Sequence, residues 1–489
     1  FSSCLPFPSL LIYERTTTAG IDKQLESVKE KMTNISKQDR SWAPCKLLAL
    51  GCLALIAVLL FPTTDAFVST TIRATDTPSH RTTQQSPLSS LAQLIDEPLA
   101  WNAVIGEADR AFRRGNQLDK SGQPRLASDA FHEAATLFQC FLELPENFGH
   151  VTNLNKEDCQ AVLAYTLVRL GFISAEALSD ANAAVRLYAM AAEIDPFPSP
   201  ESYKGIATSL EAAGGNGQDL DHLRLAVENY RKALAKANKA SILFYMGVAL
   251  ERLGETEEAE PILEIIQRSE APISCLNDSW GYVRWHTRNT NPALLNLHRG
   301  TRDMLKLALD AAMPLIEQQR QNRAQGLLCE FGVGSGKSMR MTQEILPLDI
   351  EMHGFDTFTG LPQAWGSEPA GAYSTGGVVP SIASNVYFHK GLFSDTLSPF
   401  LNSLGDEAYV AYANIDCDLY TSTLDILEAL HGRIVEGTIL VFDEYICHPT
   451  WRQDEFRAWR ESCKRFGWKY EYLGFSLSSK QAVVRVTGV

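Results

Sequence analysis

Apolar residues recur at helical spacing through the first half of the chain. Four segments between residues 95 and 270 repeat a small residue, a bulky residue four positions later and a third apolar residue three positions after that. These offsets place the three side chains on one helix face, where small residues let a neighbouring helix approach closely. The pattern predicts an all-α domain over residues 93–270. The four sets are Ala127, Phe131 and Ala134; Ala184, Tyr188 and Ala191; Ala226, Tyr230 and Ala233; and, more loosely, Ala259, Leu263 and Ile266.

The spacing of these sets is typical of helical repeats. Their first residues lie 57, 42 and 33 positions apart, and Gly214, Gly215 and Gly217 mark a loop insertion that lengthens the step of 42. The segment resembles tetratricopeptide repeats, a resemblance that implies a groove for a protein or peptide partner, or for self-association. An irregular α-helical domain with alanine-rich packing would carry the same surface.

The pattern changes to short apolar runs near residue 326. Leu327–Phe331, His353–Phe355, Tyr409–Ile415 and Gly437–Phe442 read as buried strands, and a helix is predicted to start near Lys337. Strands that alternate with helices indicate a mainly parallel sheet covered by helices. The sequence therefore predicts an α/β Rossmann-like domain over residues 271–489, preceded by the all-α repeats.

The loop after the first predicted strand carries the main binding signal. Glycines spaced two apart permit a tight turn and a close approach of the backbone to a ligand, next to a helix N-terminus. The ending Gly336-Lys337-Ser338 matches that of an ATP-binding phosphate loop, but that motif requires glycine at position 331, where this chain has Phe331. We therefore favour another nucleotide-like cofactor and keep ATP as the alternative.

The series Glu330-x-Gly332-x-Gly334-x-Gly336 resembles the signature of class I S-adenosylmethionine-dependent methyltransferases. The resemblance implies that Glu330, Gly332, Gly334, Ser335 and Gly336 bind S-adenosylmethionine, with Glu330 facing its positively charged methionine part. Asp356 follows Gly336 by 20 residues, where Rossmann-type folds place the acid that binds the ribose hydroxyls. A turn cap is the alternative role for Asp356.

Two later strands also end in acidic residues. Asp416 and Asp418 follow Tyr409–Ile415, and Asp443 and Glu444 follow Gly437–Phe442. In an open parallel sheet the ligand crevice lies at the carboxyl ends of the strands, so these acids are predicted to converge beside the cofactor. Carboxylate oxygens suit Mg²⁺ or a similar divalent ion. Capping of the next helix is the alternative for Asp416 and Asp418.

Three stretches, residues 354–362, 414–423 and 441–445, resemble motifs of the macrocin O-methyltransferase-like family, and the resemblance covers roughly residues 272–489. Characterised members methylate sugar hydroxyls with a divalent metal. The resemblance implies that Asp416, Asp443 and Glu444 bind the metal and that Asp416 is also the base. Cys417 stands where the family usually has glycine, and Glu444 replaces the second acid of an Asp-Asp pair.

The function predicted from these residues is methyl transfer from S-adenosylmethionine to a hydroxyl of a small molecule, and the family resemblance implies a sugar hydroxyl as one candidate acceptor. The predicted roles are cofactor binding by Glu330 and the glycine loop, ribose binding by Asp356, and activation of the acceptor by a metal-bound Asp416. The alternative is a helical-repeat binding or scaffold protein with an inactive methyltransferase fold.

Charge and cysteine content narrow the partners and the compartment. The chain has 44 basic and 58 acidic residues, a net charge of -14, which argues against a nucleic-acid partner. Seven cysteines lie downstream of residue 66, without a CxxC pair. This usage favours a reducing compartment.

The N-terminal region reads as a targeting leader. We expect residues 1–31 to lie upstream of the true start at Met32, residues 32–66 to form a signal peptide with the apolar stretch Leu47–Phe61, and residues 67–92 to form a Ser/Thr-rich, transit-like segment. This arrangement predicts delivery to a plastid. A membrane anchor of the endoplasmic reticulum or Golgi, or secretion, is the alternative.

Overall fold

The computed structural model describes residues 98–143, 155–215, 219–289, 298–322 and 325–489. The predicted leader segments lie outside these ranges, so the leader and its destination remain predictions. Within the described ranges, no helix combines the length and the apolar character needed to cross a bilayer.

Ten α-helices precede the first strand in the described part of the chain. The twelve residues of the repeated pattern are all buried there, which confirms that each set lies on an inward helix face. The helices are α1 Pro98–Lys120, α2 Pro124–Leu142, α3 Lys156–Glu176, α4 Ala181–Ile194, α5 Pro200–Ala213, α6 Leu220–Lys236, α7 Ala240–Leu253, α8 Thr256–Arg268, α9 Ser274–Asn289 and α10 Thr301–Asn322.

Three helix pairs, α1 with α2, α3 with α4 and α7 with α8, pack a bulky residue of the second helix against a glycine of the first. A Cβ atom added to Gly115 would lie 2.7 Å from the ring of its partner, which is closer than real Cβ contacts. Each glycine therefore lets the two helices approach. The contacts join Gly115 with Phe131, Gly171 with Tyr188 and Gly247 with Leu263. These six helices thus pack in pairs, whereas membership of the tetratricopeptide repeats remains a prediction.

A seven-stranded sheet with helices between its strands forms the C-terminal part, which confirms the predicted α/β class. The first five strands run parallel, and β7 pairs antiparallel with β5 and β6. The strands are β1 Gly326–Phe331, β2 Met352–Asp356, β3 Val386–Lys390, β4 Tyr409–Ile415, β5 Ile439–Phe442, β6 Lys469–Phe475 and β7 Ala482–Gly488. The helices between them are α11 Lys337–Ile345, α12 Phe393–Asn402, α13 Tyr420–Leu430 and α14 Glu455–Phe466.

The strand order β3-β2-β1-β4-β5-β7-β6 contains one reversal that positions the site. The chain runs outward from β1 to β3 and then returns to place β4 on the other side of β1. Ligands of open α/β sheets bind at such a switch point, outside the carboxyl ends of the strands. Every residue of β1 is buried, and Glu330 pairs in register with Gly354 of β2 and Asn414 of β4.

The described residues form two compact units. Residues 98–117, 127–143, 155–171 and 186–202 form the smaller unit, and residues 118–126, 172–185 and those from Tyr203 onward form the larger unit. One hydrophobic core of the larger unit contains Phe244 and Leu263 together with Leu327 and Phe442 of the sheet. Helices α6 to α8 therefore share a unit with the sheet, and the predicted boundary at residue 270 remains a prediction.

Candidate active site at the strand switch point

The loop between β1 and α11 adopts a backbone that requires glycine. Gly332, Gly334 and Gly336 all have positive φ angles, of 90°, 52° and 81°. A Cβ atom at Gly332 would lie 1.6 Å from the carbonyl oxygen of Asp416, whereas a Cβ atom at Gly334 would meet no atom within 4 Å. Gly332 therefore joins the loop closely to the end of β4, and Gly334 faces open space.

Asp356 at the end of β2 holds this loop in shape. Its Oδ2 accepts hydrogen bonds from the backbone amides of Val333, at 2.8 Å, and Gly334, at 2.7 Å, while its Oδ1 accepts from the amide of Phe358 at 2.6 Å. The alternative role of a turn cap is thus present in the structure. Each carboxylate oxygen has further acceptor capacity, so ribose binding by Asp356 remains a prediction.

Four backbone amides of the glycine loop are used within the protein. Besides the two amides bound by Asp356, the amide of Gly332 donates to the Phe355 carbonyl at 2.9 Å and that of Gly336 donates to the Val333 carbonyl at 2.8 Å. These amides shape the loop. The loop therefore contributes mainly space beside the crevice, and the charge of the site comes from side chains.

Glu330 is buried at the end of β1, with 1% of its surface exposed. Its Oε1 accepts a hydrogen bond from the Ser338 hydroxyl at 2.8 Å, and its Oε2 accepts from the Asn414 amide at 3.4 Å. Burial raises the pKa of Glu330 to about 8, against the hydrogen bonds that lower it. A cation beside this carboxylate would favour its charged form.

The strand-end acids Asp416 and Asp443 extend the parallel ladder of the sheet. The amide of Asp416 donates to the Phe331 carbonyl at 2.8 Å, and the amide of Asp443 donates to the Ile415 carbonyl at 2.9 Å. Both acids therefore lie at the edge that carries the glycine loop. Burial, followed by the charge of Asp443, raises the pKa of Asp416 well above its usual value. Burial and the neighbouring Glu444 raise the pKa of Asp443 to about 7.

Asp418 and Glu444 flank these two acids, and both have a pKa near neutrality. Burial and Asp443 raise the pKa of Asp418 to about 7, in a left-handed backbone with φ of 61°. Burial raises the pKa of Glu444 to about 7, although Lys480 opposes the shift. The Lys480 ammonium lies 3.2 Å from Oε1 and 3.1 Å from Oε2 of Glu444.

Glu455 links the two acidic loops from the start of α14. Its side chain is fully buried, and it accepts hydrogen bonds from the amide of Cys417 at 3.4 Å and from the amide of Glu444 at 3.2 Å. Burial raises its pKa well above the usual value. We did not predict Glu455, Lys480 or Gln481 as site residues, although Gln481 donates a hydrogen bond to Oδ1 of Asp443. The sequence feature that could have identified Glu455 is an acidic residue at the start of a helix, shortly after the acidic residues Asp443 and Glu444.

The predicted metal ligands Asp416, Asp443 and Glu444 were tested against this geometry. Their oxygens are the donor type that Mg²⁺ prefers. Within the described ranges, however, no three His, Cys, Asp or Glu side chains are arranged to hold a metal ion, and Lys480 already pairs with Glu444. The side chains as placed do not fit a divalent metal, so the metal prediction finds no support in the structure.

A glycine-rich loop, residues 360–377, forms one rim of a cleft beside the acids. It folds on itself, since Leu361 and Ala372 are joined through a backbone hydrogen bond of 3.0 Å. The Trp365 indole donates to Asp454 at 3.1 Å and thereby joins the loop to the opposite rim. The cleft has a volume of about 430 Å³ and is lined by residues 363–366, Leu419, Tyr420, Thr421, Pro449, Thr450, Gln453 and Asp454.

His448 lies behind this rim rather than at the surface. It is 5% exposed, its Nε2 lies 2.8 Å from the Glu444 carbonyl oxygen, and its ring centre lies 5.3 Å from that of Trp365. Burial lowers its pKa to about 4. The imidazole is therefore neutral at neutral pH, and it supports the loop through its contact with Trp365.

Part of this site matches a known family model. Residues 381–464 match the model of the macrocin-O-methyltransferase (TylF) family. The matched segment contains Asp416, Asp418, Asp443, Glu444 and Glu455 but not the glycine loop. No curated protein matches the chain.

Among solved structures, the calicheamicin methyltransferase CalS11 is 21% identical, covers 47% of this chain and 93% of its own, and has a TM-score of 0.30. The O-methyltransferase NovP is 20% identical, with coverages of 47% and 99% and a TM-score of 0.28. TomG from Streptomyces achromogenes, solved with S-adenosylmethionine, is 17% identical, with coverages of 45% and 92% and a TM-score of 0.25. These scores are low, so the family match carries the comparison. The segment that holds the strand-end acids thus matches the macrocin-O-methyltransferase family, and this match supports the predicted enzyme class, an O-methyltransferase.

Proposed function

We propose that this protein transfers a methyl group from S-adenosylmethionine to a hydroxyl group of a small molecule. The observation that carries the proposal is the crevice at the switch point, where a left-handed glycine loop faces open space beside buried carboxyl groups. Those carboxyl groups have raised pKa values because burial is only partly compensated. A ligand that brings a positive charge, such as a sulfonium, would stabilise their charged forms.

In this proposal the cofactor occupies the space beside Gly334, with Glu330 near its positively charged part and Asp356 near its ribose. Because the amides of Gly332, Gly334 and Gly336 are engaged within the protein, we propose that Gly334 leaves room for the cofactor, while Gly332 and Gly336 let the loop pack closely against its neighbours. Ser335 lies between the last two glycines of the loop. The acceptor enters the cleft beside Trp365. Closing such a site aligns the acceptor oxygen with the methyl group, which removes an entropic cost of up to several kcal/mol.

Asp416 is the proposed base. As the acceptor oxygen forms its bond to the methyl carbon, the bond from carbon to sulfur breaks, the sulfonium becomes a neutral thioether, and the hydroxyl proton passes to the Asp416 carboxylate. Its raised pKa makes this carboxylate a better proton acceptor than an ordinary aspartate. The divalent metal implied by the family resemblance has no support in the arrangement of these side chains, so the proposal assigns it no step.

Cofactor binding by the full chain tests the proposal. Gly334→Val adds a side chain to the open space, while Gly467→Val is the matched control: Gly467 also has a positive φ, of 81°, and no atom within 4 Å of an added Cβ, but it ends α14. We expect calorimetry to show that wild type and Gly467→Val bind S-adenosylmethionine and its demethylated product. Gly334→Val should lose at least about 100-fold in affinity. Binding of ATP without S-adenosylmethionine would reject the proposal and favour the phosphate-loop alternative.

For the helical pairs we propose binding of a protein or peptide partner, or self-association, as for tetratricopeptide repeats. The glycine contacts between paired helices support this proposal, because they are a regular packing device within the described helices. Light scattering of the full chain over a range of concentrations tests self-association. A mass that stays monomeric at all concentrations would reject self-association and leave binding of a different protein or peptide as the proposed role.

For the leader we propose delivery to a plastid. A fluorescent fusion of residues 32–92 tests it. Stable retention of the fusion in the endoplasmic reticulum or Golgi would support the membrane-anchor alternative instead.

A further inference from the structure

Two short segments of the helical region belong to the larger compact unit. Residues 118–126 include the turn between α1 and α2, and residues 172–185 include the end of α3 and the turn before α4. Residues on either side of both segments belong to the smaller unit. The contacts that these segments make within the larger unit therefore require an explanation.

The first segment touches the loop proposed to bind the cofactor. Gly122 has a φ of 70°, and a Cβ atom added there would lie 2.7 Å from the hydroxyl of Ser335, 3.1 Å from the carbonyl oxygen of Ser335 and 3.0 Å from the backbone nitrogen of Lys337. Position 122 thus requires glycine both for its backbone conformation and for this close approach.

Neighbouring side chains of the same segment reinforce the contact. Arg125 pairs with Glu344 of α11 at 2.8 Å, and Arg302 of α10 pairs with the same carboxylate oxygen at 2.8 Å. Helix α11 follows the glycine loop directly, so Arg125 holds the element that continues the loop. The turn at residues 118–126 therefore contacts the glycine loop at one end and α11 at the other.

The second segment contacts the same elements from α3. The Lys337 ammonium, at the start of α11, lies 5.9 Å from the ring centre of Phe172. Glu176 accepts hydrogen bonds from the amide of Thr301, at 3.0 Å, and from its hydroxyl, at 2.6 Å, at the start of α10. Both segments thus bind to the region that surrounds the glycine loop.

We propose that the turn at residues 118–126 positions the cofactor loop, with Gly122 as its contact residue. This proposal rests on the proposed function. A loop with three left-handed glycines has many accessible conformations when it is unsupported, and restricting it before binding reduces the ordering cost of the ligand. The turn at residues 118–126 is then part of the cofactor site, and the affinity for S-adenosylmethionine depends on a residue more than 200 positions before the loop.

The test compares two glycine substitutions in the full chain. Gly122→Ala and Gly254→Ala both place a side chain at a positive φ, but an added Cβ at Gly254 meets no atom within 4 Å. Gly254→Ala has only the cost of the positive φ, whereas Gly122→Ala also has the close contact with Ser335, so its thermal stability should fall further. We expect the Kd for S-adenosylmethionine to rise by about tenfold or more in Gly122→Ala and to stay within about twofold of wild type in Gly254→Ala.

A second pair of variants covers the case in which Gly122→Ala does not fold. Arg125→Ala removes the pairing with Glu344, and Arg224→Ala removes an equally exposed arginine from its pairing with Asp221 on α6. We expect weaker cofactor binding, by about two- to fivefold, in Arg125→Ala only. If wild type binds the cofactor but the substituted and control variants bind it equally well, the positioning role is rejected. If wild type does not bind it, the proposed function itself is rejected.

Discussion

Two buried glutamates, one among the helices and one in the crevice, have opposite electrostatic surroundings. Glu211 of α5 is 2% exposed and accepts a hydrogen bond from the Tyr230 hydroxyl at 2.8 Å, beside Arg252 at 2.5 Å and His298 at 3.1 Å. Although burial alone would raise its pKa, these partners lower it. Glu330 has only neutral hydrogen-bond donors, and its pKa is raised to about 8.

The difference distinguishes a structural charge from a functional one. The Glu211 group is complete without a ligand, so it stabilises the helical region. The crevice contains six carboxyl groups with raised pKa values, and one of them, Glu444, pairs with Lys480. The negative charge that these groups carry when they are ionised is therefore only partly balanced. The six are Glu330, Asp416, Asp418, Asp443, Glu444 and Glu455. Four predictions test this distinction, starting with the largest effect.

Asp416→Asn should reduce turnover by about 10²–10⁴ while cofactor binding stays nearly unchanged, because an amide cannot accept the proton. Steady-state turnover and calorimetry measure the two quantities, with Asp425→Asn in α13 as the control. Full activity of Asp416→Asn would make Asp416 a helix cap. Loss of wild-type activity on chelation, restored by Mg²⁺, would restore the metal prediction instead.

Glu211→Ala should lower the free energy of unfolding by about 3–5 kcal/mol, because it removes the buried carboxylate that pairs with Arg252 and His298. Glu258→Ala, which breaks the exposed pair with Arg231, should cost less than about 1 kcal/mol. Urea unfolding measures both. Equal losses would show that burial of the pair does not decide its contribution.

Glu330→Gln should change the free energy of unfolding by less than about 1 kcal/mol at pH 7, because the buried acid is already mostly protonated there. The same substitution should weaken S-adenosylmethionine binding by about tenfold, because the carboxylate that would face the sulfonium is lost. Exposed Glu351→Gln is the control. Strong destabilisation with unchanged cofactor affinity would place Glu330 with Glu211 as a structural charge.

The pH dependence should show the smallest effect. The pKa of Glu330 is about 8 in the folded protein and about 4.3 when unfolded, so the folded state binds more protons between these values. This group therefore lowers the unfolding free energy as the pH rises through that window. Binding of a cation favours the charged carboxylate, so S-adenosylmethionine affinity should rise from pH 6 to 8 with release of protons. Calorimetry in buffers of different ionisation enthalpy detects that release, and its absence would contradict the assignment.

Local sequence patterns predicted the strand-end residues of the crevice but not the residues that reach it from the β6–β7 hairpin. Gly332, Asp416 and Asp443 lie at ends of parallel strands, so their shared edge follows from the strand and helix alternation alone. Lys480 and Gln481 reach the site through the antiparallel hairpin of β6 and β7, which we did not predict. The positions of Lys480 and Gln481 depend on strand pairing between distant parts of the chain. The ion pair between Lys480 and Glu444, which the family resemblance did not imply, depends on the same strand pairing.

The helical region shows the same limit. Residue periodicity predicted the buried face of four of these helices, and the burial of Phe131 and Tyr188 confirms it for two of them. It could not predict that α6 to α8 share a compact unit with the sheet, because that depends on contacts between residues far apart in sequence. The turn that contains Gly122 likewise carried no sequence signal beyond a single glycine.

The close approach of Gly332 to the Asp416 carbonyl has a consequence for how this enzyme could diversify. Any side chain at position 332 would require the backbone at position 416 to shift, so position 332 tolerates little change. New acceptors would therefore arise through insertions and exchanges in residues 360–377 and 446–454, where the chain turns outside the sheet. Directed evolution for altered acceptor choice should randomise those two rims and leave the strand ends untouched.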